Sequence, residues 1–414
     1  MMNGSFLGFR CSICSKEYLP DEVIYTCPKD GGNLDIQIDY KEVGKVTTIN
    51  DIVNSNQFSI WRYLPLLPLH EPDFSGTPLS TVGWTPIYSL PELKNNLQLK
   101  QLWVKDDGRN PTASLKDRAS AVVVMHAREI GAEVVVTAST GNAGAALAGM
   151  AAASGHQSVI IVPKTAPSAK IAQLLVYGSR VLLVDGNYDQ AFDLTIEAAR
   201  EFGWYCRNTG YNPFTLEGKK TASFEIWEQV ILPNPIKNPL CIFVPVGDGN
   251  IISAIHKGFK DLEELGWLEQ MPRIFGVQAE GSAAIANAYY QGTESISAVK
   301  ACTIADSISV DLPRDGIRAV RAVRQTNGQY LIVTDDEILE SIAVLGKTGV
   351  FVEPAAAASL AGLKKAISKG WISESDPVLL LLTGNGLKDI HAATRAVKEA
   401  PIIQPTLEAL KRLV

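Results

Sequence analysis

From about Leu102 onward, short runs of apolar, β-branched residues alternate with longer segments whose apolar positions recur at helical spacing. "EVVVTAS" precedes the alanine-rich "GNAGAALAGMAAASG", and "QSVIIVP" precedes "SAKIAQLLVYG". "RVLLVDG" leads into "YDQAFDLTIEAAREFG" and "CIFVPVG" into "NIISAIHKGFKDLEELG"; "RIFGVQAEG" follows, and finally "PVLLLLTGNG" with "LKDIHAATRAVKEA". The short runs lack polar alternation, which predicts strands buried on both faces, as in a parallel sheet covered by helices. The predicted fold class is therefore α/β, doubly wound. Such sheets bind ligands beyond the carboxyl ends of their strands. Four strand ends stand out there: "ASTGNAG", "RNTGYN", "PVGDGN" and "LTGNG". Glycine lets backbone approach a ligand, while Asn, Ser and Thr add short, directed hydrogen-bonding groups. Four such ends after buried strands predict one shared site.

Length and charge narrow the picture. A chain of 414 residues exceeds one compact core and predicts two domains of about 150 to 200 residues, with a small appendage. With 38 basic against 44 acidic residues the net charge is −6, which argues against a general nucleic-acid or anionic-membrane binder. No apolar run approaches the roughly 18 residues that span a bilayer, and "MMNGSFLGFRC" lacks the charged and apolar regions of a signal peptide. A cytoplasmic location is expected. The cysteines agree: Cys206, Cys241 and Cys302 are scattered and Cys11, Cys14 and Cys27 cluster, which is no disulfide framework.

Several motifs carry candidate chemistry. In "PVGDGNIIS", Gly247 and Gly249 follow a strand and open a helix near Asn250, where unpaired N–H groups and the positive helix end suit a phosphate. It is not the dinucleotide fingerprint, because Ile252 stands where a third glycine belongs. That makes a nicotinamide dehydrogenase a poor reading. "LGKTG" at 345–349 is no phosphate-binding Walker loop: Ser341 occupies the required glycine position, and the segment reads as a helix end. His70, His126, His156, His256 and His391 are dispersed, and no G-x-S-x-G elbow occurs, so metal-assisted hydrolysis and serine-hydrolase chemistry lack their parts. Lys116 in "NPTASLKDRAS" remains. Alone it reads as a solvated charge; beside a phosphate cradle it reads as the amine that forms an imine with pyridoxal phosphate.

"NPTASLKDRAS" resembles the "NPTGSFKDRG" signature of the fold-type-II pyridoxal phosphate enzymes, the tryptophan synthase β-like group, and of the threonine synthases above all. "ASTGNAGAALA" is similar to that family's asparagine loop, "PVGDGN" to its phosphate loop, and "LTGNGLKD" to its C-terminal cofactor motif. The resemblance runs from about residue 75 to 395. It implies Lys116 as the Schiff-base lysine and proton carrier, and Asn142 as the partner of the ring hydroxyl. It also implies Gly247, Asp248, Gly249 and Asn250 around the cofactor phosphate, and Thr383 facing the ring nitrogen. Ser139, Thr140 and Gly141, with Asn208 and Thr209, would take the substrate. The implied architecture is a ribbon-like segment (1–45), a larger cofactor-binding α/β domain (46–118 and 215–414) and a smaller one (119–214). The implied reaction is that of a threonine synthase, O-phosphohomoserine and water giving threonine and phosphate, in a homodimer acting on a small amino acid. An ammonia-lyase or β-replacing synthase on the same scaffold, or a non-catalytic ligand-binding paralogue, are the other readings.

The chain departs from the family pattern at several places. Thr215 stands where threonine synthases usually carry an arginine for the substrate phosphate, with Lys219 one turn on. Asp248 lies inside a phosphate loop one residue shorter than usual, and Ala113 and Leu115 replace the customary Gly and Phe. At the N-terminus, Cys11, Cys14 and Cys27 with Asp30 resemble a zinc ribbon. Either a structural zinc or a metal-free relic fits that spacing.

Overall fold

The computed structural model describes residues 5–71, 75–139, 141–166 and 168–413. Its strands fall into three sheets. The largest has the order Tyr330–Val333, Arg273–Ala279, Cys241–Pro245, Val378–Leu382, Leu102–Asp106, Ile87–Tyr88. All neighbours run parallel except the edge strand Ile87–Tyr88, which is antiparallel. Its central register sets Phe243 beside Leu380 and Leu380 beside Val104. These central strands are buried along their whole length, as an apolar run without alternation requires. A second, wholly parallel sheet has the order Arg180–Val184, Gln157–Pro163, Val134–Thr137, Tyr205–Cys206. The fold is α/β, with helices packed on both parallel sheets.

Two expectations need correction. "RVLLVDG" forms the strand Arg180–Val184, but it is an edge strand and largely open to solvent, with Leu183 exposed. An apolar run at an edge has a covered neighbour on one side only, which the run itself cannot reveal. "LKDIHAATRAVKEA" gives only the short helix Ile390–Arg395, because Asp389 caps it by accepting from the Ala392 N–H (2.9 Å) and the chain leaves the helix at Ala396. "LGKTG" is the end of the helix Asp335–Lys347.

A third, antiparallel sheet of Glu17–Tyr18, Phe6–Cys11 and Leu34–Ile38 forms the N-terminal appendage. It is tied to the rest of the chain. Tyr25 stacks on Tyr211 (4.5 Å between centroids) and its hydroxyl accepts from the Cys206 N–H (2.8 Å); Asn33 donates to the Gly210 carbonyl. Arg318 joins Asp35 (2.7 Å) to Asp315 (2.9 Å). Among the described residues no helix is long and apolar enough to cross a membrane.

Candidate active site

The four Gly- and Asn-rich strand ends meet at one cavity of about 530 Å³ between the two parallel sheets, an ordinary size for a small-molecule site. Lys116 lines it. The local sequence explains why this residue does so and its neighbours do not. Leu115 N–H donates to the Thr383 carbonyl (2.9 Å) and Ser114 bridges Gly384, so the segment is pinned to the last strand of the large sheet. Asp117 folds back to accept from the Thr112 N–H (2.6 Å) and hydroxyl. Arg118 forks onto Asp107 (2.7 and 2.9 Å) and pairs with Glu225, all fully buried. Those partners hold the first turn of the helix Lys116–Glu129 and leave the lysine facing the cavity. The amine sits deep in that cavity, and this burial first, then the nearby Arg207 guanidinium, lowers the Lys116 amine to about 8; Glu353 and Asp248 pull the other way.

On the facing wall, Gly247 to Asn250 run from the strand Cys241–Pro245 into the helix Asn250–Glu264, and all four line the cavity. Gly249 sits at φ +90°, and a Cβ there would lie 2.7 Å from the Asp315 carbonyl, so the turn needs glycine. Ser253 is the first N–H of this helix to turn back, onto the Gly249 carbonyl (3.1 Å). The N–H groups ahead of it have no intrahelical acceptor, which makes the helix start an anion seat. Asp248 does not spoil the seat: its carboxylate accepts from the Arg314 N–H (2.9 Å), and burial raises its pKa. Lys219 is fully buried and donates to Asn250, whose amide also donates to Asp315 (2.8 Å).

Between the walls, Asn142 opens the helix Asn142–Ser154 and donates to both oxygens of Glu353 (2.9 Å each). Ser307 adds a hydrogen bond to Glu353 (3.3 Å), and burial raises the pKa of that carboxyl. Ser139, Gly141, Thr209, Arg207 and Thr383 also line the cavity. Thr140 lies outside the described residues. Asn208 is used differently: its Oδ1 accepts from the Ala138 N–H (2.8 Å) and Thr137 hydroxyl (3.0 Å), which fixes the loop before Ser139. Thr215 spends its hydroxyl on the Asn212 carbonyl (2.7 Å).

At the appendage, Cys11, Cys14, Cys27 and Asp30 place one ligand atom each within 4.8 Å of one another. The Cys14 and Cys27 sulfurs are 3.8 Å apart, close to the separation of two thiolates about 2.3 Å from one tetrahedral zinc.

Residues 79–384 match the model of the pyridoxal-phosphate dependent enzymes. A threonine synthase of Methanocaldococcus jannaschii is 40% identical over 408 residues, 98% of each chain. One of Methanosarcina acetivorans is 36% identical over the same share. The chain belongs to the threonine synthase family of pyridoxal-phosphate dependent enzymes. Among solved structures, a threonine deaminase isoform of Solanum lycopersicum superposes with a TM-score of 0.66 at 22% identity, covering 78% of this chain and 86% of that one, a likeness of fold. A diaminopropionate ammonia lyase of Escherichia coli does so at 0.65 and 18%, over 83% and 93%.

Pyridoxal 5'-phosphate is the family's cofactor, and the cavity fits it. A buried amine kept partly neutral stands across from a helix start with open N–H groups, and both border one recessed space. The family motifs point to the strand ends but not to Arg207, Glu353, Ser307 or Arg314, which share the cavity. For Arg207 the sequence does carry a signal: a charged residue directly after a buried strand, in the position where ligands bind.

Proposed function

We propose that the chain is a threonine synthase, converting O-phospho-L-homoserine and water to L-threonine and phosphate. The observation that carries this reading is identity of 40% to a threonine synthase across 98% of both chains, joined to a cavity that presents a lysine and an anion seat together. Lys116 would hold the cofactor, and the start of the helix Asn250–Glu264 would seat the cofactor's phosphate. Bound there, the cofactor supplies an electron sink for negative charge at the α and then the β carbon of the substrate. The Lys116 amine, at about 8, can both accept the α-proton and return it near neutral pH. Ser139 and Gly141, at the start of the helix Asn142–Ser154, suit the substrate's carboxylate. Asn142, held by Glu353, and Thr383 at the end of the strand Val378–Leu382 suit the two polar edges of the cofactor ring.

Offering O-phosphohomoserine to the holoenzyme should release threonine and phosphate in equal amounts. Production of 2-oxobutyrate from threonine, without phosphate release, would instead make it an ammonia-lyase.

We also propose that Cys11, Cys14, Cys27 and Asp30 hold a structural zinc. The closeness of the four ligand atoms supports this, as does the position of the cluster away from the cavity.

A further inference from the structure

Glu353 is a buried carboxylate of the cavity that neither the lysine nor the anion seat requires. It stands at the N-cap position of the helix Pro354–Ser368, yet its side chain makes no capping hydrogen bond. A polar side chain in that position ordinarily accepts from the first N–H groups of its helix. This one turns to the other layer instead, where Asn142 Nδ2 lies 2.9 Å from each of its oxygens. The last strand end is shaped around it. Glu353 N–H donates to the Gly384 carbonyl (3.1 Å), and a Cβ at Gly384 would collide with Glu353 Oε1. Glycine after Thr383 therefore makes room for the carboxylate.

The pairing decides which end of the Asn142 amide is which. An ionised carboxylate only accepts, so the end that meets it must be the NH2 group. Two oxygens at equal distance share one of its hydrogens. The second is left with the Ser307 hydroxyl at 3.2 Å, a neutral acceptor on the cavity wall that itself donates to Glu353 (3.3 Å). Burial raises the pKa of the Glu353 carboxyl, while the Asn142 amide, Lys116, Lys388 and Ser307 act against that rise. An anionic ring oxygen would attract the second hydrogen more strongly than a hydroxyl does.

We propose that Glu353 is a positioning residue that acts through Asn142: by gripping the amide nitrogen it turns an N–H donor, rather than the carbonyl, towards the cofactor's ring oxygen and keeps that oxygen anionic. A donor aimed at an ionised group favours the charged form. Glu353 touches neither the substrate nor the cofactor in this role. The proposal rests on the reading that the cofactor lies with its ring hydroxyl edge at Asn142.

The test is spectroscopic and uses holoenzyme without substrate at one fixed pH. The cofactor's visible band belongs to the anionic ring oxygen and its near-ultraviolet band to the neutral one, so their ratio is the readout. Glu353→Leu is expected to lower that ratio about 3- to 10-fold, the worth of one hydrogen bond to a charged group. Glu353→Gln, whose amide can meet Asn142 either way round, should lower it about 2-fold, and it decides alone if the leucine variant does not retain cofactor. Asn142→Ala should lower the ratio too, and adding Glu353→Gln to it should change nothing further. A second fall in that double variant would overturn the proposal, because the carboxylate would then act directly on the cofactor's link to Lys116. A ratio that rises would overturn it as well, since the carbonyl end would be the one presented. So would an unchanged ratio beside a lower melting temperature of the cofactor-free protein, which would make Glu353 a support of its helix. An unchanged ratio in Asn142→Ala itself would instead refute the placing of the ring from which the proposal starts.

Discussion

An imine forms only from a neutral amine, so cofactor loading should follow the titration of Lys116. Burial and the neighbouring Arg207 bring that amine from 10.5 to about 8. At pH 7 an amine with a pKa of about 8 is roughly 9% neutral, and an ordinary lysine only about 0.03%, so the site gains roughly 300-fold in reactive amine. Stripped of cofactor and mixed with pyridoxal phosphate between pH 6 and 10, the protein should develop its visible band with a rate that climbs about tenfold per pH unit and levels near pH 8. The sign follows from the charge: a depressed lysine loses its proton earlier, and the plateau moves to lower pH. In Arg207→Gln the removal of a neighbouring cation should shift the inflection upward. A rate that keeps rising past pH 9 in the wild type would refute the reasoning, since it would show a lysine at its ordinary value. An Arg207→Gln profile identical to the wild type would show that burial alone sets the amine.

Ala113 adopts φ +66°, a left-handed conformation that favours glycine. Ala113→Gly should therefore raise the melting temperature by about 2 °C, from about 1 kcal/mol of relieved strain, and a lower melting temperature would show that the loop profits from alanine's restriction of the unfolded chain. Metal analysis of freshly purified protein should find one zinc per chain, and none in Cys14→Ser; a wild-type protein that refolds fully in chelator without metal would remove the zinc from the account.

The lysine loop is readable because its parts are neighbours in sequence: Asn110, Thr112, Asp117 and Arg118 each fix the segment within reach of Lys116. The strand ends are readable as a group because a parallel sheet puts all its carboxyl ends on one side. Arg207 is readable only as a charge at one of those ends, since its meaning depends on which other strand ends it meets. Its neighbour in the cavity, Lys116, belongs to a distant stretch of chain that only the fold brings alongside. Glu353 is hidden likewise: it caps the helix Pro354–Ser368 of one layer while its carboxylate binds Asn142 of the other. The solvent-open strand Arg180–Val184 looks like its buried neighbours because edge position is a property of the finished sheet. The resemblance supplies residue roles that spacing cannot.

Tyr25 and Asn33 reach across 181 and 177 residues of chain to grip the turn from Cys206 to Gly210. The small N-terminal sheet thus acts as a splint on the piece of backbone that presents Arg207 and Thr209. The same sheet sends Phe6 and Phe9 against Phe214 in the main core, so trimming the first forty residues would release the turn and strip one wall of that core together, and a shortened chain should lose stability along with the shape of the cavity.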